Sequence, residues 1–571
     1  MKIGLAQINP KVGDIQGNTT KILGCIEKLS TADIVVFPEL CVTGYPPEDL
    51  LFNKDFIAES QVAVAKIAKA VNSHQAVIIG CPEHTNGELY NAAFVINNGH
   101  IIGTHRKVFL PNYDVFDEMR YFSSGQTGTI IRFVNHTVGI IVCEDLWRPD
   151  GPAQWEASQG AQTIISINAS PFEHGKMESR LNLIRHMAKT SKVSIVYLNM
   201  VGGQDELLFD GASVVVSDDG DIQAVMPSFE ESLSLVNVPA SSGNDILHND
   251  SSFLANESNS IVHCFDVPME TSDEKPISDL VEAPIDSIAN IYKGLVMGIK
   301  DYVTKQGFKG VIVPVSGGID SALVATMSVD ALGADRVKLI YLPTRFNSPD
   351  SLEDAKKLSD NLDSPLMVLS IDSIFETFDN TLRNELHKES FDIADENLQA
   401  RIRANIVFYI SNATGYLVLS CSNKSEAAVG YGTIYGDMAG GFAPIKDVLK
   451  TQVYQLARYR NDLNPVIPER ILSRAPSAEL NVDQKDQDVL PPYDILDAFI
   501  NDYMVSNIPI ENLTQRYGNE VVSKILRMIK GSEFKRKQAP VGPKISPRSF
   551  GKGWRMPIVN GFMPKENTLG D

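Results

Sequence analysis

Short β-branched runs recur through the first half of the chain: DIVVF, AVIIG, AFVIN, TVGIIVC, TIISIN and SIVYLN, with amphipathic stretches such as QVAVAKIAKAV between them. Runs of that length read as buried strands, and the stretches between them as helices packed by one face. Beyond about Asp219 the pattern loosens. SSGNDILHNDSSFLANESNS is polar and loop-like, and PMETSDEKPISDLVEAPID mixes proline, serine and acids, so a domain boundary is expected in the second of these. From Ile288 a new alternation begins: helical IANIYKGLVMGIKDYV, strand GVIVPV, helix SALVATMSVDAL, strand KLIYL, helix SLEDAKKLSDNL. That order implies a parallel sheet flanked by helices. The expected organisation is therefore a domain over residues 1–265, a linker over 266–285 and a second domain over 286–571, the two halves not being copies of one another.

Composition narrows the class. A chain of 571 residues exceeds the size at which one core keeps growing, and 43% hydrophobic with 21% charged residues is ordinary globular material. Its 51 basic and 71 acidic side chains leave a formal charge of −20, which repels nucleic-acid backbones and anionic membranes. No stretch approaches the ~18 uninterrupted apolar residues of a membrane span. Neither nucleic acid nor membrane is expected as a partner. The start, MKIGLAQINPKVGD, carries no visible export signal, and the six scattered cysteines form no CxxC pair. Those features favour a reducing cytoplasm over a disulfide framework or a zinc site. The last ~40 residues turn basic and rich in proline and glycine, which ordinarily reads as a solvated or nucleic-acid-binding tail.

Three reactive side chains each sit just beyond a strand-like run: Glu39 after IVVFP, Lys107 after IIGTHR and Cys143 at the end of TVGIIVC. In open α/β sheets, sites form at the carboxyl ends of strands, so residues this far apart in sequence can converge. Taken singly, a cysteine ending a strand is usually a buried packing residue, and a Glu or Lys there a solvated terminus. Together they supply a thiol, a base for its proton and a cation for a developing oxyanion.

FPELCVTGYPPEDL, RKVFLPNYDVF, VGIIVCEDLW, INASPFEHGK and NMVGGQDELLFDGAS resemble, in order, the nitrilase-like amidohydrolases, and within them the glutaminase domain fused to NAD synthetases. The resemblance spans most of residues 1–265 and implies an αββα sandwich. It also implies Glu39 as general base, Lys107 as stabiliser of the tetrahedral intermediate and Cys143 as the nucleophile that forms a glutamyl thioester. Tyr113, Glu144, Ser170 and Lys176 match the positions that line the glutamine pocket. A carboxylate for the substrate ammonium, and a hydroxyl and a cation for its carboxylate, agree with that assignment. Lys176 stands where some relatives carry Arg, so a point charge replaces a bidentate clamp.

In the second half, GVIVPVSGGIDSALVATM runs a strand into SGGIDS and then into a helix. Gly317 and Gly318 let backbone N–H groups approach an anion, Ser316 and Ser321 add hydroxyl donors, and a helix N-terminus adds its dipole. A bare Ser-Gly-Gly is more often a turn with a cap. Asp320 shifts the balance, because an acid inside an anion nest makes sense mainly when Mg2+ bridges it to phosphate. The Walker pattern is absent.

SGGIDS, comprising Ser316, Gly317, Gly318, Ile319, Asp320 and Ser321, resembles the ATP-binding loop of the N-type ATP pyrophosphatases. ENLQARIRA, SNKSEAAVGYGTIYGDMAGGFAPIKDVLKT, PSAELNVDQKDQDVLPPYDILD and EFKRKQAP then resemble NAD synthetases motif by motif over nearly all of residues 285–545. The resemblance implies a Rossmann-like domain of the adenine-nucleotide hydrolase type, with Asp320 and Glu426 as Mg2+ ligands. Lys450 would lie on the ATP phosphates, and Asn397, Arg401, Glu426, Asp437 and Lys535 at deamido-NAD, with Arg536 helping Lys535 to offset the dinucleotide's charge. Cys421, also counted to the ATP site, replaces the usual Thr, so a hydroxyl contact to the nucleotide is lost there. ENLQARIRANIVFYI reads equally as an amphipathic helix with Leu398, Ile402 and Ile406 on one face. The function implied is glutamine-dependent NAD synthesis from ATP, deamido-NAD and L-glutamine, in a homo-oligomer paired at least as a dimer through the second domain. The competing expectation is a glutamine amidotransferase of the same loop type acting on another adenylated acceptor.

Overall fold

The computed structural model describes residues 1–239, 253–255, 261–271, 287–387, 390–481 and 484–562. Most of the expected linker, and residues 240–252 and 256–260 of the polar stretch 229–262, lie outside the described residues. The chain divides into two compact units, Met1–Gln204 with Leu208–Ile285, and Asp205–Leu207 with Asp286–Asp571.

The first unit is built on two sheets. One places its six strands in the order Ser232–Asn237, Lys2–Gln7, Ile34–Val36, Ala76–Thr85, Glu88–Asn97, His100–Arg106. The second runs Ile222–Val225, Val214–Val216, Ser194–Asn199, Thr163–Asn168, Thr137–Val142, Thr127–Arg132, Ile261–Asp266, Phe253–Ala255. Both mix parallel and antiparallel pairs. Leu5, Val36, Ile78 and Val95 of the first sheet share one core with Val138, Ile140, Ile167 and Val196 of the second. The two-residue side-chain period sends the intervening Ile141 to the opposite face, where it packs with Ala153 and Ala157 of helix Pro152–Ser158 and Ile184 of helix Lys176–Ser191. Helices Ile15–Lys28 and Lys54–Ala70 cover the far side of the first sheet with Ile22, Ile26, Val64 and Ile67 buried. Asp14 and Asn53 cap these two helices through N–H groups of Gly17, Asp55 and Phe56. The layers are helix, sheet, sheet, helix, which is the αββα sandwich expected.

The stretch after Asp219 is more regular than its composition suggests. Ser232–Asn237 pairs antiparallel with the first strand over its whole length, from Lys2 opposite Asn237 to Gln7 opposite Ser232. Its partner lies more than two hundred residues away, and a sheet edge tolerates the serines in SLSLVN.

The second unit carries a four-stranded parallel sheet in the order Leu366–Val368, Val337–Tyr341, Val311–Pro314, Leu417–Val418. Ile312, Ile340 and Val418 pack with Ile402 and Val407 of helix Ile393–Thr414, and Leu398 and Ile406 of the same helix join them. A separate apolar cluster unites Leu496, Phe499, Ile525 and Ile529 with Phe550 and Trp554 of the C-terminal tail. That tail is folded against the unit: Lys544, Ile545 and Ser549 are buried. Among the described residues no helix is long and apolar enough to cross a membrane.

Candidate functional site

Strand Thr137–Val142 ends on Cys143, whose φ of +48° turns the chain abruptly into the short helix Cys143–Trp147. A non-glycine residue in that conformation stores strain. Lys107 follows strand His100–Arg106, and Glu39 follows Ile34–Val36. All three strand-end residues are buried together. Lys107 Nζ donates to Glu39 Oε1 at 2.7 Å and to Glu118 Oε1 at 2.9 Å. Glu39 is held further by Asn91 Nδ2 at 2.7 Å and by the Ala169 backbone N–H at 2.8 Å on its other oxygen. Tyr45 donates its hydroxyl to Glu118 at 2.9 Å.

The electrostatics follow from this packing. Burial pushes the Lys107 ammonium down, but Glu118 and Glu39 outweigh it and hold the charged form well above the ordinary lysine value. Burial, then the Glu39 carboxylate, push the Cys143 thiol far up, with Lys107 opposing. The resting thiol is therefore protonated at neutral pH and needs a base at the moment of attack. Asp145 ties the site's two loops together. Its Oδ1 accepts from Val108 and Phe109 N–H groups at 3.1 and 2.9 Å, and its Oδ2 from Val142 N–H at 3.2 Å, with His105 Nε2 also 3.2 Å from that oxygen.

The other residues of the expected glutamine pocket surround this centre. Tyr113 donates to Glu144 Oε2 at 2.9 Å, and burial followed by Glu144 pushes its phenol up. Lys176 opens its helix behind Gly175 and donates to the Pro171 carbonyl at 3.2 Å. Burial, then the neighbouring Arg180, push its ammonium down, and Cys143 is among the groups it feels. The backbone of Ser170 is clasped by Asn199, which donates to Asp210, itself paired with the buried Arg180.

In the second unit, SGGIDS bridges strand Val311–Pro314 and helix Ile319–Leu332. Gly317 takes φ +83°, and a Cβ there would come within 2.8 Å of the Ser351 backbone, so only glycine fits the turn. Ser316 Oγ accepts from the Gly318 N–H at 3.2 Å, and Ser321 Oγ donates to the Gly318 carbonyl at 3.1 Å. Asp320 meets Lys450 Nζ in a short contact and accepts from Asn423 Nδ2 at 2.9 Å. Lys450 also lies 3.6 Å from Glu426 Oε1. Burial, then Asp320, push the Glu426 carboxyl up to about 8. Asp320 and Glu426 are half-buried around one ammonium, and two carboxylates this close form a donor pair suited to a hard divalent cation completed by phosphate oxygens. Cys421 sits beside this pair, its Sγ facing the Pro314 carbonyl at 3.8 Å, and burial followed by Asp320 pushes its thiol up.

Asn397, Arg401, Asp437 and Lys535 gather around the loop 430–437. Thr433 donates its hydroxyl to Asn397 at 2.7 Å and its N–H to Asp437 at 2.7 Å. Arg401 donates to the Ile434 carbonyl at 3.3 Å, and Lys535 to the carbonyls of Gly430 and Gly432 at 2.8 Å. Beside them opens a cavity of about 380 Å³ lined in part by Phe408, Ile434, Tyr435, Met438 and Lys535. Arg536 departs from expectation. It is buried, bonds Glu533 and donates to the carbonyls of Ala427, Ala428 and Ile529, so its charge is spent inside the fold rather than on a ligand.

The family model for carbon-nitrogen hydrolases matches residues 2–245, and that for NAD synthase matches residues 291–539. The glutamine-dependent NAD(+) synthetase of Aquifex aeolicus is 44% identical over 570 residues, covering 98% of this chain and 100% of the relative. The chain belongs to the glutamine-dependent NAD(+) synthetases. The Acinetobacter baylyi member is 40% identical over 99% of both chains. A solved Acinetobacter baumannii glutamine-dependent NAD+ synthetase, in complex with adenosine diphosphate, superposes with a TM-score of 0.74 at 37% identity over 99% of each chain. In this NAD(+) synthetase the sequence reading had not singled out Glu118, Asn91, Tyr45, Asp145 or Asn423, all of which touch the two centres. Glu118 lies in YDVFDEMRY, where neighbouring acids make it look like one more solvated charge, and no local pattern marks its contact with Lys107.

Glu118→Gln keeps the shape of the side chain while removing one of the two carboxylates that hold Lys107. The expected result is a fall in glutamine hydrolysis of about 10²–10³-fold, with synthesis from ammonium salts unchanged, read by assaying the two activities side by side.

Proposed function

We propose that the first unit hydrolyses L-glutamine and the second spends ATP to join the released ammonia to deamido-NAD, giving NAD, AMP, diphosphate and glutamate. The observation that carries this reading is the fully buried Glu39–Lys107–Glu118 cluster around Cys143, in one chain with the Asp320–Lys450–Glu426 cluster at a phosphate loop.

Glu39 takes the Cys143 proton as sulfur attacks the side-chain amide carbon of glutamine, and the Lys107 ammonium offsets the charge that develops on the amide oxygen. Collapse returns that proton to the departing nitrogen, so ammonia leaves and a glutamyl thioester remains. Glu39 then draws a proton from water, which cleaves the thioester to glutamate and restores the thiol. Tyr113, Glu144, Ser170 and Lys176 hold the substrate's ammonium and carboxylate ends. In the second unit the nicotinate carboxylate attacks the α-phosphorus of ATP and diphosphate leaves. Adenylation cancels the negative charge that makes a carboxylate a poor electrophile and installs a leaving group. Ammonia then attacks the acyl carbon and AMP departs. Asp320 and Glu426 would hold Mg2+, which supplies charge neutralisation at the phosphates, while Ser316, Gly317, Gly318, Ile319 and Ser321 cradle them. Lys450 adds a cation, and the Cys421 position lies alongside. Asn397, Arg401, Glu426, Asp437 and Lys535 bind the dinucleotide. The acceptor is tested directly: with ATP and glutamine, deamido-NAD is expected to be converted and xanthylate left untouched, and the reverse pattern would overturn the choice of acceptor.

The protein is further read as a homo-oligomer, paired at least as a dimer through the second unit, in the cytoplasm. Ile374, Phe378, Leu382 and Leu386 form an exposed apolar stripe one helical turn apart on helix Asp372–Leu386, and Ile393 and Tyr409 are exposed on the following helix. Such a stripe on a water-facing helix supports burial against a second copy. Phe378→Asp with Leu382→Asp is expected to lower the mass measured by light scattering to half of the native value or less.

A further inference from the structure

The match to the NAD synthase family model ends at residue 539, yet the chain continues through a folded tail. We infer that this tail, through Ser546 and the backbone of residues 545–548, positions the two segments that carry the phosphate-site residues, and so sets the affinity of the second unit for MgATP. The inference rests on the reading of Asp320 and Glu426 as cation ligands.

Lys424 is a lysine with 1% of its surface exposed, one residue from Asn423, which bonds Asp320, and two from Glu426. Its ammonium donates to Ser546 Oγ at 2.6 Å and to the Arg548 carbonyl at 2.8 Å, and pairs with Asp447 Oδ1 at 2.8 Å. Three acceptors satisfy all three N–H groups of a buried ammonium, so removing the tail's two would leave it short. Asp447 is engaged from the same side. Its Oδ2 accepts the N–H groups of Ile545 and Ser546, both at 2.8 Å, and the Ser546 hydroxyl lies 2.8–2.9 Å from its two oxygens. Asp447 in turn stands three residues before Lys450, the cation between Asp320 and Glu426. The tail therefore grips the base of both segments: 423–426, with one acid and the asparagine that orients the other, and 447–450, with the lysine. Neither Lys424 nor Asp447 is among the residues that would touch the nucleotide. Their effect is exerted by holding the backbone on which those residues stand, as outer partners do at metal sites.

Phe550 and Trp554 anchor the tail in an apolar cluster, so truncation would confound positioning with unfolding. Point variants avoid this. Lys424→Met and Ser546→Ala are compared with the native full-length chain by calorimetric titration of ATP at several Mg2+ concentrations without dinucleotide, alongside thermal melts. Lys424→Met is expected to raise the Mg2+ concentration for half-maximal ATP binding by roughly 10–100-fold. Ser546→Ala should shift it the same way by a smaller factor, Ser546→Thr should restore it, and glutamine hydrolysis should be unchanged throughout. Asp320→Asn serves as the control for the underlying reading. If Asp320→Asn weakens the Mg2+ dependence while both tail variants match the native chain, or lower only the melting temperature, the positioning role is overturned. If Asp320→Asn itself leaves the dependence unaltered, the cation reading fails first. Should Lys424→Met not fold, the Ser546→Ala and Ser546→Thr pair decides.

Discussion

Cys143→Ala is expected to reduce glutamine-dependent NAD formation by at least about 10⁴-fold while synthesis from ammonium salts proceeds at the native rate. The size follows from the site's construction. Glu39 and Lys107 are oriented for a sulfur nucleophile, with both oxygens of Glu39 tied down, and neither can form the acyl bond that sulfur forms. Alanine removes one atom from a buried position and leaves the Lys107–Glu39–Glu118 ion cluster intact, so the fold should persist. Parallel assays with glutamine and with ammonium chloride check the result; loss of both activities would contradict the assignment of separate chemistry to the two units.

The converse experiment has a comparable effect. Asp320→Asn is expected to lower NAD formation by at least about 10³-fold from either nitrogen source, because charge at transferring phosphates is offset chiefly by the cation and its ligands. Glutamine hydrolysis should survive. Asparagine keeps an oxygen for Asn423 Nδ2 but withdraws the charge that faces Lys450, leaving Glu426 as the lysine's one remaining carboxylate in the cluster. Diphosphate release and glutamate release, measured on the same samples, separate the two outcomes.

Much of this arrangement is legible in the amino-acid sequence alone. Cys143, Lys107 and Glu39 each end a β-branched run, and strand ends converge in sheets of this kind. SGGIDS stands between a strand and a helix, which is where an anion nest belongs. What stayed hidden depends on partners far away in sequence. Glu118 reads as surface because acids usually are, and its burial is tolerable only against Lys107, Tyr45 and Asn91, brought in from other elements. Arg536 departs from expectation for the same reason: a basic run near the C-terminus suggests a solvated or ligand-facing charge, whereas this guanidinium is satisfied by three backbone carbonyls and Glu533. The Ser232–Asn237 strand was obscured because its pairing with the first strand fixes it more firmly than its own composition does. Local pattern locates strand ends and loops; it carries little about which buried charges meet.

The most direct measurement supplies glutamine labelled with ¹⁵N in its side-chain amide, together with ATP, deamido-NAD and magnesium, and follows the label. The account predicts ¹⁵N in the carboxamide of the NAD formed, with one AMP, one diphosphate and one glutamate for each labelled NAD. Label recovered only as free ammonium, with deamido-NAD unconsumed, would contradict it.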